Sequence, residues 1–120
     1  MSETTYFFDT YAFFEILKGN QYYKKFEQAK GITTLFNLAE LNFALKREKK
    51  MLADQITKKY ESLLVDVSTE DVMQAMSFRM QHRKLSIPDA IGYIIAKRHH
   101  LKFLTGDKEF KNLPNVEYIK

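Results

Sequence analysis

Cysteine is missing from the 120-residue sequence. Its absence excludes a disulfide framework, catalysis by a thiol and a zinc site with cysteine ligands, and it agrees with a reducing compartment. Long apolar runs are missing too. No stretch approaches the roughly 20 apolar residues of a membrane-spanning helix, and no basic segment followed by an apolar run opens the chain. We therefore expect a cytoplasmic protein without a signal peptide and without a membrane partner.

Short motifs that identify several enzyme classes are also absent. The sequence has neither a GxGxxG loop nor a GKS or GKT loop, which argues against dinucleotide and P-loop nucleotide sites. It lacks the serine-centred turn of the α/β-hydrolases. There are no internal repeats or low-complexity segments either.

The composition is that of one globular domain with a substantial core. The chain is 45% hydrophobic and 28% charged, and its length leaves no room for a second domain. Nineteen Lys and Arg residues against fifteen Asp and Glu residues give a net charge of +4 at neutral pH. This modest positive excess suits a polyanionic partner without requiring one.

Apolar runs typical of short strands alternate with segments of helical periodicity. This alternation predicts an α/β fold with a mostly parallel sheet of four to five strands and helices on both faces. The predicted helices include a weak one at 21–30 and one that continues through 52–60. The predicted strands are Thr5–Phe8, 32–35, 63–67, 103–104 and 116–119, with the last at an edge.

Four acidic residues occupy positions where such a sheet gathers side chains: Asp9, Glu40, Asp89 and Asp107. Three of them follow an apolar run or begin a helix. Ligands of open α/β sheets bind outside the carboxyl ends of the strands, so we expect these acids to converge. Converging carboxylates are costly unless they hold a cation, and oxygen-only ligands suit Mg²⁺ or Mn²⁺.

Each acid also has a simpler structural explanation. Asp9 suits a helix N-cap, and Asp89, three residues after Ser86, suits a capping box. A helical wheel places Glu40 on an apolar face, where the alternative to a functional role is a buried ion pair with Arg47.

Other side chains are candidates for contacts with partners. Met73, Met76 and Met80 share one helix face, which predicts core packing or a subunit interface. The basic residues that we expect to follow the backbone of a nucleic acid are Lys46, Arg47, Lys49, Lys50, Arg83 and Lys84.

Two stretches, FFDTYAFFEIL and LSIPDAIGYIIAKRHHLKFLTGDKEF, resemble PIN-domain ribonucleases, specifically the small VapC-like toxins. In that family a first strand ends in Asp followed by Ser or Thr, and a helix in the first half carries Glu. A later helix opens with Asp-Ala, and a strand then runs into Thr-x-Asp with an aromatic residue three positions further on. The matching residues here are Asp9, Thr10, Glu40, Asp89, Ala90, Thr105, Asp107 and Phe110.

The resemblance implies a single PIN-like domain over residues 1–120, built as a three-layer α/β/α sandwich. It implies a metal-dependent endoribonuclease, usually the toxin of a toxin–antitoxin pair that a cognate antitoxin neutralises. It also implies a homodimer.

For the chemistry, we expect Asp9 and Asp89 to bind Mg²⁺ or Mn²⁺ directly. Glu40 and Asp107 would bind it through water, or orient and deprotonate the attacking water. The hydroxyl groups of Thr10 and Thr105 would hold these carboxylates in place.

Two other hypotheses stay open at this point. A receiver-like phosphoacceptor domain shares the alternating architecture and the acids, but it needs a lysine at the end of a late strand, and LTGD offers none before Lys108. A non-catalytic RNA-binding PIN-like module would bind RNA equally well in EDTA and would cleave nothing.

Overall fold

The computed structural model describes residues 5–120. Its centre is a four-stranded sheet in the order β2-β1-β3-β4, and every pair of neighbouring strands is parallel. The chain enters at the middle of the sheet and ends at one edge, as expected for the last strand. The strands are β1 (Thr5–Phe8), β2 (Lys30–Ile32), β3 (Lys102–Thr105) and β4 (Val116–Tyr118).

Helices cover both faces of this sheet, which confirms the predicted three-layer α/β/α arrangement. Three short 3₁₀ segments lie between them, at Gln21–Phe26, Glu61–Leu63 and Lys108–Phe110. The α-helices are α1 (Thr10–Leu17), α2 (Leu35–Arg47), α3 (Ala53–Lys59), α4 (Thr69–Gln81) and α5 (Ile87–Arg98). Within residues 5–120, no helix has the length and apolar character needed to cross a membrane.

The two faces of β1 explain the two halves of the core. Successive side chains of a strand point to opposite faces, so Phe7 packs with α4 and α5 while Phe8 packs with α1 and α2. Phe7 lies opposite Phe103 in the parallel register, and their rings stack with centroids 5.4 Å apart. Gly92 lets α5 approach closely, since a Cβ atom there would lie 2.8 Å from the Phe7 ring.

The predicted strand at 63–67 is wrong. Glu61–Leu63 is a 3₁₀ turn, and the next residues form only an isolated bridge between Leu64 and Thr33. The Thr33 backbone makes one hydrogen bond on each side of this bridge, to Leu63 and Val65. Ser68 then caps α4, so the pairing does not extend beyond this single bridge.

Three other boundaries also differ from the prediction. The expected helix at 21–30 is a 3₁₀ segment over Gln21–Phe26, and Lys30 already belongs to β2. The strand expected at 32–35 ends at Ile32, because the Thr34 side chain caps α2. The helix expected to continue through 52–60 is a separate one, since the left-handed backbone of Lys49 (φ 59°) ends α2.

Candidate active site at the carboxyl end of the sheet

A pocket of about 420 Å³ lies where β1 and β3 end, and all four predicted acids line it. Asp9 directly follows β1, and Asp107 lies two residues beyond β3. Asp89 is in the first turn of α5, and Glu40 is in the middle of α2. The other lining residues are Thr10, Tyr11, Phe14, Phe43, Ala44, Arg47 and Ser86.

Asp9 is the most deeply buried of the four acids, with 2% of its surface exposed. Its Oδ1 atom accepts a hydrogen bond of 2.8 Å from the backbone N–H of Ala12, so it is the N-cap of α1. Burial raises the pKa of the Asp9 carboxyl to about 8, and the nearby charges of Asp89 and Asp107 act in the same direction. Hydrogen bonds from the Thr105 hydroxyl and Ala12 N–H oppose this rise in pKa.

Glu40 is held by Thr10, the residue after Asp9. The Thr10 hydroxyl donates a hydrogen bond of 2.8 Å to the Glu40 Oε1 atom. Burial raises the pKa of Glu40, the Thr10 bond opposes this, and the charge of Asp89 adds to the rise. Thr10, rather than Arg47, is therefore the hydrogen-bonding partner of Glu40.

Asp89 completes the capping box that its spacing predicted. Its Oδ2 atom accepts a hydrogen bond of 3.0 Å from the Ser86 backbone N–H, and Ser86 Oγ accepts one of 3.1 Å from the Asp89 backbone. Burial nevertheless raises the pKa of Asp89, and the charge of Asp107 adds to the rise. The N–H partners of a capping acid normally favour its charged form, so the raised pKa shows that burial outweighs the capping bonds at Asp89.

Thr105 connects the two strand ends. Its hydroxyl oxygen accepts a hydrogen bond of 3.1 Å from the Asp107 backbone N–H and donates to the Asp9 carboxylate. The Asp107 Oδ1 atom in turn accepts a bond of 3.0 Å from the Glu109 N–H. One threonine at the end of β3 thus fixes the positions of two acids.

Capping and convergence are therefore compatible in this fold. Asp9, Asp89 and Asp107 each accept a backbone N–H at the start of a helical segment, and each also faces the same pocket. Helices that begin at the carboxyl end of a parallel sheet start at the ligand-binding edge. The same acids can consequently serve the local structure and a ligand.

The acidic pocket suits a hard divalent cation but is not a ready-made cage. Its charged lining oxygens all belong to carboxylates, the donors that Mg²⁺ and Mn²⁺ prefer. In the described part of the chain, no three His, Cys, Asp or Glu side chains are placed to hold a metal ion together. Mg²⁺ usually takes one or two carboxylates and keeps several waters. A pocket in which acids converge without forming a tight cage is therefore compatible with Mg²⁺.

Of the six basic residues predicted to contact a nucleic acid, the structure brings only Arg47 into the pocket lining. Lys46 forms an exposed ion pair with Asp54, with 2.9 Å between Nζ and Oδ1. The other four are exposed: Lys49 and Lys50 follow α2, and Arg83 and Lys84 lie between α4 and α5.

Sequence reasoning missed the aromatic part of the lining. The face of α2 that carries Glu40 was expected to be apolar, but Phe43 on this face is 66% exposed and lines the pocket. The spacing of Glu40 and Phe43 along α2 did indicate that they share a face. It could not indicate that this face borders a pocket.

Comparison with known proteins identifies the architecture. A parallel sheet with an acidic pocket at its carboxyl end defines an α/β protein with a site at the strand ends. Residues 6–116 match the sequence model of the PIN domain. The chain therefore belongs to the PIN domain family. No curated protein matches the sequence.

Solved structures share the fold over almost the whole chain. A toxin–antitoxin complex from Klebsiella pneumoniae contains a chain with 24% identity and a TM-score of 0.75, and the match covers 95% of this chain and 99% of that one. VapBC2 from Rickettsia felis, bound to a DNA fragment from its promoter, contains a chain with 19% identity and a TM-score of 0.73. The match covers 98% of this chain and 100% of that one. A Pyrobaculum aerophilum protein has 18% identity and a TM-score of 0.72, and the match covers 96% of this chain and 90% of that one.

Proposed function

We propose that this PIN domain is a metal-dependent endoribonuclease that cleaves RNA phosphodiester bonds as the toxin of a toxin–antitoxin pair. The observation that carries the proposal is the convergence of Asp9, Glu40, Asp89 and Asp107 on one pocket at the carboxyl end of the sheet. Burial and mutual repulsion raise the pKa of three of them. Such perturbed acids in a cleft are typical of functional sites.

Asp9 and Asp89 are the residues proposed to hold Mg²⁺ or Mn²⁺. Each has one carboxylate oxygen bound to a backbone N–H, which fixes its orientation. A divalent cation bound there supplies positive charge that activates water and stabilises the charge developing on the phosphate. Binding the cation also removes the cost of keeping buried acids side by side.

Glu40 and Asp107 are proposed to orient the attacking water and accept its proton, or to bind the metal through water. The raised pKa of Glu40 moves this carboxylate toward neutral pH, where a general base works best. Thr10 holds the Glu40 carboxylate and Thr105 holds the loop of Asp107. Both threonines are therefore positioning residues in this proposal.

Contacts with the RNA backbone are assigned to the basic residues. Arg47 lines the pocket, and the geometry of its guanidinium fits a phosphate. The residues outside it contribute longer-range attraction, which is screened by salt. These are Lys46, Lys49, Lys50, Arg83 and Lys84.

The proposed partners are a cognate antitoxin and a second copy of the chain, in the cytoplasm. Two of the similar solved structures, from Klebsiella pneumoniae and Rickettsia felis, are described as toxin–antitoxin or VapBC assemblies. In this chain, Met76 packs against the core while Met73 and Met80 are 59% and 63% exposed on α4. That exposed pair supports a subunit interface.

The rival hypotheses differ in what supports them. Membership of the PIN domain family removes the receiver fold from consideration. A non-catalytic RNA-binding module keeps one supporting observation, the lack of a ready-made metal cage among residues 5–120. It predicts RNA binding that EDTA does not change.

Cleavage of a labelled single-stranded RNA tests the proposal directly. The wild type should cleave with Mg²⁺ or Mn²⁺ and stop in EDTA. Asp9→Asn should lose about 100-fold or more of the rate while its far-UV circular dichroism is unchanged, because the amide keeps the shape and the cap but cannot ionise to become an anionic ligand for the metal. Asp66→Asn, an exposed acid outside the pocket, is the matched control and should cleave normally. Metal-independent binding without cleavage would favour the RNA-binding module.

A further inference from the structure

One face of α2 carries both a catalytic candidate and an exposed aromatic ring. Glu40, Phe43, Ala44 and Arg47 follow the i, i+3, i+4, i+7 spacing of a single helix face, and all four line the acidic pocket. The opposite side of the helix carries Leu38 and Leu45, which are buried in the core. The pocket therefore has an acidic floor and an aromatic and cationic wall.

Phe43 is 66% exposed at this wall. A single exposed apolar residue is ordinary on a protein surface. Phe43, however, lies beside a pocket lined by charged groups, and the Arg47 guanidinium carbon is 5.5 Å from the centre of its ring. A flat ring paired with a cation and open to solvent is the arrangement with which proteins hold single-stranded nucleic acids.

We propose that Phe43 stacks on an unpaired base of the RNA next to the cleaved bond, while Arg47 contacts the adjoining phosphate. The inference rests on the proposed function, because it takes RNA as the substrate. An aromatic face binds any base, since every base has a π face. Bases inside an A-form duplex are already stacked, and side chains cannot reach into its deep major groove. The site should therefore select single-stranded over double-stranded RNA.

Arg47 strengthens this arrangement in two ways. Its planar guanidinium matches the geometry of a phosphate, and its position over the ring keeps the cation at the pocket wall. The chain also places Arg47 one turn beyond Phe43, so the base and the phosphate of one nucleotide can be held by neighbouring side chains of α2.

Equilibrium binding to matched single-stranded and duplex RNAs tests the inference, with Asp9→Asn as the common background to prevent cleavage. Phe43→Ala and Phe43→Leu should each weaken single-strand binding about 10- to 100-fold and leave duplex binding nearly unchanged. Phe43→Trp should restore single-strand binding, since it keeps an aromatic face that Leu lacks. Tyr22→Ala, at a residue that is 64% exposed and does not line the pocket, should behave like the background.

A fluorescence measurement reports stacking separately from affinity. The chain has no tryptophan, so Phe43→Trp supplies the only indole. Single-stranded RNA should quench its emission, whereas the emission of Tyr22→Trp should not respond. Unquenched emission from the Phe43→Trp variant when it has bound RNA, or wild-type affinity and cleavage in Phe43→Leu, would overturn the inference while leaving the nuclease proposal intact. A wild type that neither binds nor cleaves RNA would overturn both.

Discussion

Asp71 and Asp89 occupy the same position in two successive helices, yet their pKa values shift in opposite directions. Each is the third residue after a serine cap, and each completes a capping box. Burial raises the pKa of Asp89. At Asp71 the pKa is lowered. Burial acts to raise it, but hydrogen bonds from the Ser68 N–H and from the Arg98 guanidinium, 2.9 Å from Oδ1, outweigh the effect of burial.

This pair allows a structural acid, Asp71, to be compared with Asp89, which is proposed to bind metal. Without divalent metal, Asp89→Asn should melt at the same temperature as the wild type or higher, because the amide can still accept the Ser86 N–H and no longer repels Asp107. Asp71→Asn loses its charge-assisted contact with Arg98 and should destabilise by about 1–3 kcal/mol. Thermal melts in EDTA measure both. If Asp89→Asn loses as much stability as Asp71→Asn, Asp89 is chiefly a helix cap.

The raised pKa of Asp9 predicts how stability depends on pH. Between its unfolded value of 3.8 and the folded value of about 8, the native carboxyl keeps a proton that the unfolded chain has released. The unfolded state then binds fewer protons, so the free energy of unfolding falls as pH rises through this window. The contribution of Asp9 reaches about 1.4 kcal/mol per pH unit.

Urea unfolding in EDTA, from about pH 5 to about pH 8, measures this dependence. Asp9→Asn should have a much flatter profile, with a smaller slope remaining because the pKa values of Glu40 and Asp89 are also raised. Asp66→Asn, at an exposed site, should keep the wild-type slope. Parallel profiles for Asp9→Asn and the wild type would show that Asp9 is ionised in the native protein.

Divalent cations should stabilise the native protein if the acids bind them. A ligand that binds only the folded state raises the free energy of unfolding with the logarithm of its concentration, by about 2.7 kcal/mol at 100 times its Kd. Millimolar Mn²⁺ or Mg²⁺ should therefore raise the melting temperature of the wild type, and less so that of Asp89→Asn. Sodium chloride at equal ionic strength is the control. A wild type indifferent to Mn²⁺ would contradict the metal site.

The exposed methionines of α4 predict a homodimer. Met73 and Met80 are seven residues apart on one helix face and lie open to solvent, while Met76 contacts the core. Light scattering should give a dimer mass for the wild type and a monomer mass for the double variant Met73→Glu, Met80→Glu. Met51→Glu, at a residue that is 97% exposed after α2, should remain dimeric. A wild-type monomer at high micromolar concentration would contradict the interface.

The sequence predicted the fold and the location of the acids because both depend on local signals. An apolar run ending in Asp9, and the serine spacing before Asp89, are visible without coordinates. The run at 63–67 was wrongly predicted as a strand because apolar residues such as Val65 and Val67 have the same pattern whether they pair in a sheet or only cover a core. Whether such a run pairs depends on neighbouring segments, here the single bridge to Thr33.

The environment of Glu40 was predicted only in part, for a similar reason. Helical periodicity places Phe43 on the same face, but it does not say whether that face meets the core or solvent. The contact with Thr10, 30 residues away in sequence, depends on how α2 crosses the end of β1. The distances between the carboxylates depend on how several such elements cross. The sequence therefore predicted that the acids converge, but not that they form no tight metal cage among residues 5–120.

The central position of β1 should make the two halves of the site differ in local stability. β1 is hydrogen-bonded to strands on both sides, so its amides should exchange with solvent among the slowest in the domain, and Asp9 is attached to its end. Phe43 and Arg47 belong to the last turns of α2, next to the exposed segment 48–52. Local opening is easiest where few apolar groups are buried. If the chain binds RNA as proposed, the wall of the site at the end of α2 should open locally more readily than β1, which holds Asp9 in place.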